Sequence, residues 1–256
     1  MPAKGISAAL RTQAENNRNT AANAAYYASH RRKIMDLVDK LSPNPADRIM
    51  VFGAGNANDL ELSALCRKFK EVHLVDWDAA ALQGALAKTG TTHQQIFLHG
   101  GIDLSEPKAR SGLPTGMDMV LSTCLFSQIT ARIQTGKQST TQALAAILTA
   151  REDHFQFMVN IAKPAGSVLF ISDLISSDTV PDLAQIPAIT LRERMEKLIE
   201  QGNFFTGLKP RPLLQMLMCK QKFRERIAQV TFVDPWRWQL SEKRSYLVYG
   251  IHFKKI

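Results

Sequence analysis

The chain is short of the features that mark secreted, disulfide-bonded and membrane-spanning proteins. Its 3 cysteines are odd in number and far apart, so neither a disulfide framework nor a thiolate zinc site is predicted. Its 6 histidines lack the spacing of metal ligands, and no metal is expected. No apolar run approaches the roughly 20 residues of a membrane span, and the first residues lack the apolar region of a signal peptide. These absences predict a soluble, cytoplasmic protein with no membrane association.

Acidic residues are fewer than basic residues, and most of the basic excess lies in the C-terminal part of the chain. The formal net charge is +9, and residues 192–256 hold 14 Lys and Arg against 6 Asp and Glu, whereas residues 1–191 hold 18 against 17. A basic face suits RNA or an acidic or phosphorylated substrate. Basic residues scattered among apolar ones are also typical of a solvated surface. The charge alone leaves both interpretations open.

Apolar patterning divides the chain. Residues 1–47 have apolar side chains at helical spacing, followed by a proline-rich break, and predict a helical cap or extension. From residue 48 onward apolar runs alternate with helical patterns, which is typical of a parallel sheet covered by helices on both faces. Strands are predicted at 49–52, 72–75, 95–99, 117–122 and 167–172, and helices at 59–70, 79–88, 138–162, 191–201 and 212–220.

Two β-rich runs close the chain. Residues 226–233 and 246–253 are predicted strands, joined by a loop that contains residues 234–238. Strands so close in sequence form an antiparallel hairpin. The predicted fold class is therefore α/β: a doubly wound, mostly parallel seven-stranded sheet with a C-terminal antiparallel hairpin and an N-terminal helical cap.

The first predicted strand ends in a glycine-rich turn, Gly53-Ala54-Gly55-Asn56. Glycines there let backbone N–H groups approach a ligand without a Cβ in the way. The second strand ends at Asp76, where a carboxylate can accept hydrogen bonds from both hydroxyls of a ribose. A dinucleotide fingerprint has Gly or Ala at its third position, but Asn58 and Asp59 stand here, and an aspartate would repel a pyrophosphate. The pattern favours another nucleoside-bearing cofactor.

This glycine turn, Asp76, and five strands finished by a hairpin resemble the class I S-adenosylmethionine-dependent methyltransferase family over about residues 48–256. The resemblance implies a cap over 1–47, one methyltransferase domain over 48–256, and an acceptor-pocket insertion at about 180–215. It implies S-adenosylmethionine as cofactor and S-adenosylhomocysteine as product. The cofactor-binding residues that it implies are Gly53, Ala54, Gly55, Asn56, Asn58, Asp76, Trp77, Ile102, Asp103, Leu104, Thr123 and Cys124.

The resemblance also implies roles within that set. Asp76 would hold the ribose, Trp77 would pack on adenine, and Asp103 would accept the adenine amino group. One departure concerns Val51, which stands two places before the first glycine, where the family often has an acidic residue. We expect Asn58 or Asp59 to hold the methionine amino group instead.

Methyl transfer mainly requires that the acceptor be aligned with the methyl group, and a base is needed only where the acceptor loses a proton. No catalytic residue is therefore assigned, and His30 and His154 are the candidates for a base. The sequence lacks the Asn-Pro-Pro-Tyr and Pro-Cys signatures of nucleic-acid base methylation, and a small-molecule acceptor is predicted. Candidate acceptor contacts are Tyr26, Tyr27, Phe126, Phe204 and Arg211.

Three alternatives stay open at this point. The basic C-terminal third is compatible with an RNA methyltransferase. The valine at position 51 is compatible with a cofactor-binding but catalytically silent partner or sensor. A nicotinamide-dependent oxidoreductase is disfavoured by the Asn58-Asp59 pair.

Overall fold

The computed structural model describes residues 8–20, 22–88, 94–136 and 139–256, which form a seven-stranded sheet flanked by helices. The strands are β1 Arg48–Phe52, β2 Glu71–Asp76, β3 Ile96–Gly100, β4 Met117–Thr123, β5 Ala162–Ser176, β6 Ile227–Gln239 and β7 Ser245–Lys255. The helices are α1 Ala8–Thr20, α2 Ala28–Leu41, α3 Leu62–Lys68, α4 Ala79–Ala87, α5 Phe126–Gln134, α6 Thr140–Ile161, α7 Leu191–Glu200, α8 Pro210–Cys219 and α9 Gln221–Arg224.

The strand order is β3-β2-β1-β4-β5-β7-β6. The first five strands pair in parallel, while β7 runs antiparallel to both β5 and β6. The predicted fold class is therefore confirmed. From β1, the chain first places β2 and β3 on one side and then returns to place β4 and β5 on the other side, so the strand order reverses between β1 and β4. Open α/β sheets bind ligands at such a switch point, beyond the carboxyl ends of the strands.

The central strands β1 and β4 are buried on both faces, and β1 alternates its side chains between two apolar layers. Met50 and Phe52 of β1 point into one layer, and Ile49 and Val51 point into the other. Each of these side chains is 0% exposed. Val51 thus belongs to the core, and its place in β1 offers no polar group to a ligand.

The C-terminal hairpin differs from its prediction. The predicted loop over residues 234–238 is part of β6, where Trp236 pairs with Val248 and Trp238 pairs with Tyr246. A β-bulge between Val233 and Trp236 absorbs the irregularity that Pro235 introduces into the strand. The prediction of a loop was wrong because the pairing with β7 overrides the local turn signal.

Other boundaries differ as well. Residues 126–134 form α5, a helix that sequence reasoning missed after the fourth strand. β5 is longer than predicted at both ends. Residues 1–7 and 21 of the predicted cap and residue 138 of the helix predicted at 138–162 lie outside the described residues. No helix within the described part of the chain has the length and apolar character needed to cross a membrane.

The N-terminal helices pack on the sheet through a buried aromatic contact. In α2, Ile34 and Val38 are 0% exposed. His30 of the same helix stacks on Trp236 and Trp238 of β6, with ring centroids 5.9 and 4.8 Å away, and its Nδ1 accepts a hydrogen bond of 2.9 Å from Trp236 Nε1. α2 is thus fixed against the C-terminal hairpin, and the end of α1 lies near the turn after β1, where Asn58 Nδ2 donates to the carbonyl oxygen of Thr20.

Candidate functional site

The turn after β1 is held tightly between its neighbouring strands. Gly53 has a φ of +76°, and its N–H donates to the carbonyl oxygen of Val75 over 3.0 Å. A Cβ at this position would lie 2.9 Å from Leu125 Cβ and 3.0 Å from the carbonyl oxygen of Thr123. Glycine is required here because both the left-handed backbone and the close approach exclude a side chain.

Asp76 closes the other side of the turn. The side chain is 8% exposed, Oδ2 accepts from the Gly55 N–H over 2.9 Å, and Oδ1 accepts from the Asp78 N–H over 2.8 Å. Burial raises the pKa of Asp76 to about 6, although these backbone hydrogen bonds oppose the shift. A carboxylate has about four acceptor positions, so two remain for the hydroxyl groups of a ligand.

A cavity of about 690 Å³ opens at the carboxyl ends of β1, β2, β4 and β5. Its volume lies within the range of roughly 300 to 1,000 Å³ that is typical of small-molecule sites. The structure brings most of the predicted cofactor residues, and one predicted acceptor residue, into the wall of this cavity: Gly53, Ala54, Gly55, Asn56, Asn58, Asp76, Thr123, Cys124 and Tyr27.

The remaining predicted cofactor residues lie outside that wall. Trp77 Nε1 is buried without a hydrogen-bond partner in the described residues, and the Ile102 N–H donates to the carbonyl oxygen of Asp76 over 3.3 Å. Leu104 is a core residue. Asp103 accepts hydrogen bonds of 2.7 and 3.1 Å from Arg132 of α5. This partner satisfies its carboxylate, which sequence reasoning assigned to adenine.

The two histidines considered as bases are core side chains outside the cavity wall. His30 is 0% exposed and His154 is 1% exposed. His154 Nε2 lies 3.0 Å from Ser122 Oγ, and its ring packs against Phe126. Burial lowers the pKa of each histidine to about 3, so both are neutral at physiological pH. Neither side chain is among those that line the cavity.

Of the predicted acceptor contacts, only Tyr27 lies in the described wall of the cavity, and the other four lie outside it. Tyr26 is 42% exposed outside the wall, and Phe126 is 0% exposed in the core. The Lys209 ammonium lies 4.3 Å from the ring centroid of Phe204, whereas the next residue, Phe205, lines the cavity. Arg211 is exposed on α8.

The structure adds residues that sequence reasoning missed. The end of α1 and Asn23 form a polar rim of the cavity. The segment of the glycine turn is tied to this rim, because Asn58 Nδ2 donates to the carbonyl oxygen of Thr20 over 2.7 Å. A run of asparagines in the sequence was the available signal for this rim. The added wall residues include Asn16, Asn17, Asn19, Thr20, Asn23, Ser127, Gln128, Asp173, Trp238 and Tyr246.

The cavity is acidic although the protein is basic, with a formal net charge of +9. Burial is the main cause that raises the pKa of Asp59, Asp76 and Asp173 to about 6 each. Buried carboxylates that lack full compensation favour a positively charged ligand. The charged residues of the described wall are Asp59, Asp76, Asp173, Asp178, Lys243 and Arg244.

The described residues contain no cluster of three or more His, Cys, Asp or Glu side chains placed to hold a metal ion. The described wall carries carboxylates, hydroxyls, amides and aromatic rings, together with the Cys124 thiol and the side chains of Lys243 and Arg244.

Comparison with known proteins gives similarity in structure without similarity in sequence. No protein-family model and no curated protein sequence matches the chain. The structure is similar to that of an S-adenosylmethionine-dependent methyltransferase from Anabaena variabilis, with a TM-score of 0.55 and 13% identity over 98% of this chain and 96% of that one. A second S-adenosylmethionine-dependent methyltransferase structure, from Methanosarcina mazei, gives a TM-score of 0.51 and 11% identity over 83% of this chain and 93% of that one.

At such low identity these similarities concern the fold. Together with the strand order and the antiparallel β7, they show that the chain has the class I methyltransferase fold.

Proposed function

We propose that this protein is an S-adenosylmethionine-dependent methyltransferase that acts on a small-molecule acceptor. The observation that carries the proposal is the cavity at the switch point of the sheet, where the Gly53–Gly55 turn and the buried carboxylate of Asp76 lie side by side. A glycine turn and a strand-end carboxylate at that place suit a ribose-bearing ligand. The fold supports the same proposal.

The residues of the wall fit this cofactor. Asp76 has acceptor positions left for the two ribose hydroxyls. Asp59 lies in the wall beside the glycine turn, and we assign it to the ammonium group of the methionine part, because Val51 is buried in the core. The acidic wall suits the charge of a sulfonium cofactor, which supplies a methyl group already activated for transfer.

The contribution of the protein to the reaction is alignment and exclusion of water. The polar end of α1 covers the glycine turn, and Tyr27 is 6% exposed in the cavity wall. Such a wall holds an acceptor close to the methyl group for direct in-line displacement, and positioning of this kind accounts for a large part of the rate of a two-substrate reaction. No side chain is assigned as a base.

Calorimetric titration with S-adenosylmethionine, S-adenosylhomocysteine and NADH tests the cofactor before any acceptor is known. We expect both sulfur nucleosides to bind and NADH to fail. Asp76→Ala removes the ribose contacts and should cost roughly 1.5 to 3 kcal/mol of cofactor affinity, because hydrogen bonds to a charged group are of that size. Binding of NADH alone, or of none of the three, contradicts the proposal, and an unchanged affinity of Asp76→Ala contradicts the role of this residue.

RNA is the alternative acceptor, on the basis of the basic residues in the C-terminal third. Several of these residues are neutralised locally: Arg192 pairs with Asp234 at 3.0 Å, and Lys220 and Lys222 both pair with Glu152. An affinity for RNA that falls steeply between 50 and 200 mM salt would favour this alternative. Cofactor binding without turnover on any pool of acceptors would favour a catalytically silent partner.

A further inference from the structure

Asp173 of β5 is a buried carboxylate with an unused oxygen. The residue is 6% exposed, it lines the cavity, and its Oδ1 has no hydrogen-bond partner in the described residues. A register shift in the pairing of β5 with β7 falls between Asp173 and Ile175. Such irregularities often re-aim a side chain beside an active site. A buried carboxylate left in this state is costly unless a ligand compensates it.

The other two acids of the cavity whose pKa is raised, Asp76 and Asp59, have partners. Asp76 accepts two backbone hydrogen bonds, as described above. Asp59 has the Thr123 hydroxyl and the Arg31 guanidinium as neighbours. None of the ion pairs found among the described residues involves Asp173. These ion pairs do not involve Asp76 or Asp59 either, but Asp173 differs from both in its hydrogen bonds: the Ser127 hydroxyl is a neighbour of its carboxylate, while its Oδ1 has no hydrogen-bond partner among the described residues.

Aromatic rings stand in the same cavity wall as Asp173. The ring centroids of Trp238 and Tyr246 are 5.3 Å apart, and those of Tyr27 and Trp238 are 5.4 Å apart. No Lys or Arg of the described residues stacks on these three rings. Burial and the nearby Asp173 both raise the pKa of Tyr246, to about 12, so its hydroxyl stays neutral. The neighbouring Arg244 opposes this rise, and its own charge is paired with Asp178 at 2.9 Å. Aromatic faces and a carboxylate together are the combination that binds organic cations.

We infer that this end of the cavity is a subsite for a small organic ammonium group of the acceptor, with Asp173 as its counter-ion and the Trp238 and Tyr246 rings as its walls. The inference rests on the proposed function, because it assigns the subsite to the acceptor and not to the cofactor. The strands that carry Asp76 and Asp173 are separated by β1 and β4, a distance of roughly 14 Å at ordinary strand spacing. The two carboxylates therefore hold different groups.

The test compares two probes of similar shape that differ in charge, phenethylammonium and 2-phenylethanol. Each is titrated at pH 7.5 into the full-length protein, once alone and once saturated with S-adenosylhomocysteine. We expect the ammonium probe to bind at least about tenfold more tightly than the alcohol, the size expected of one desolvated cation contact. Asp173→Asn keeps the shape of the side chain and should abolish that preference. Asp234→Asn, which removes a charge from an exposed ion pair outside the cavity, should keep it.

The outcomes separate the two proposals. Equal affinity for the two probes in the natural protein, or an unchanged preference in Asp173→Asn, overturns the ammonium subsite. A loss of S-adenosylhomocysteine affinity in Asp173→Asn that exceeds about tenfold assigns the carboxylate to the cofactor and also overturns it, while the proposed function stands. If the protein binds no sulfur nucleoside, the proposed function fails. The probe preference in the unliganded protein then still decides whether the cation subsite exists.

Discussion

Replacing Gly53 by alanine probes how closely the glycine turn approaches β4. The added Cβ would lie 2.9 Å from Leu125 Cβ and 3.0 Å from the Thr123 carbonyl oxygen, and the φ of +76° is unfavourable for alanine. The left-handed backbone costs roughly 1 to 2 kcal/mol. Overpacking against backbone adds roughly 1 to 3 kcal/mol, so the free energy of unfolding should fall by about 2 to 5 kcal/mol.

Two matched substitutions separate the causes. Gly55 has a φ of +46°, but its nearest neighbour would be Asn17 Oδ1 at 3.4 Å, so Gly55→Ala carries backbone strain without a clash. It should cost roughly 1 to 2 kcal/mol. Gly84 lies in α4 with nothing within 4 Å of a built Cβ. Gly84→Ala should therefore raise the free energy of unfolding, by roughly 0.5 to 1 kcal/mol.

Equilibrium unfolding in urea measures all three variants against the natural protein. The expected order of stability is Gly84→Ala, natural protein, Gly55→Ala and Gly53→Ala. If Gly53→Ala were no less stable than Gly55→Ala, the turn would not pack against β4 as described, and the geometry of the cavity would have to be revised.

Further predictions concern charge and packing. Asp173→Asn should raise the free energy of unfolding by about 1 to 3 kcal/mol at pH 8 and by nearly nothing at pH 4. The reason is that a buried acid whose pKa is raised from 3.8 to about 6 destabilises the fold as the pH rises through that interval; urea unfolding with equal gains at both pH values would contradict it. Trp236→Phe leaves His30 Nδ1 without its donor and should cost roughly 1 to 3 kcal/mol, measured by thermal unfolding, where an unchanged midpoint would exclude this contact as an anchor of α2. Between pH 5 and 8, calorimetry should show the affinity for S-adenosylmethionine rising more than that for the uncharged-sulfur product, because Asp59 and Asp76 ionise over that range; parallel changes would argue against recognition of the sulfonium charge.

The sheet was predictable because its signals are local. Each parallel strand is a short apolar run, as in residues 49–52, and helical patterns separate the runs. The glycine turn was accessible for the same reason, since its residues are contiguous. Asp76 followed from its position at the end of the next strand. The local structure of such contiguous motifs can be predicted without knowing which distant segments of the chain meet.

The rest of the candidate site depends on which distant segments meet. The sequence near Asp173 shows an acid in an apolar run and nothing that says which cavity it faces. Trp238 and Tyr246 belong to a pairing that exists only because β6 continues through Pro235. The histidines show the same dependence: a titratable side chain is a candidate base in the sequence, and only the fold shows that His30 has a tryptophan partner in the core.

A crystal structure of the protein grown with S-adenosylhomocysteine is the most direct test of the central claim. We predict density for the nucleoside in the cavity beneath α1, with the ribose hydroxyls within about 3.2 Å of the Asp76 carboxylate. Density for the nucleoside at any other place, or an empty cavity at saturating ligand, would contradict the account.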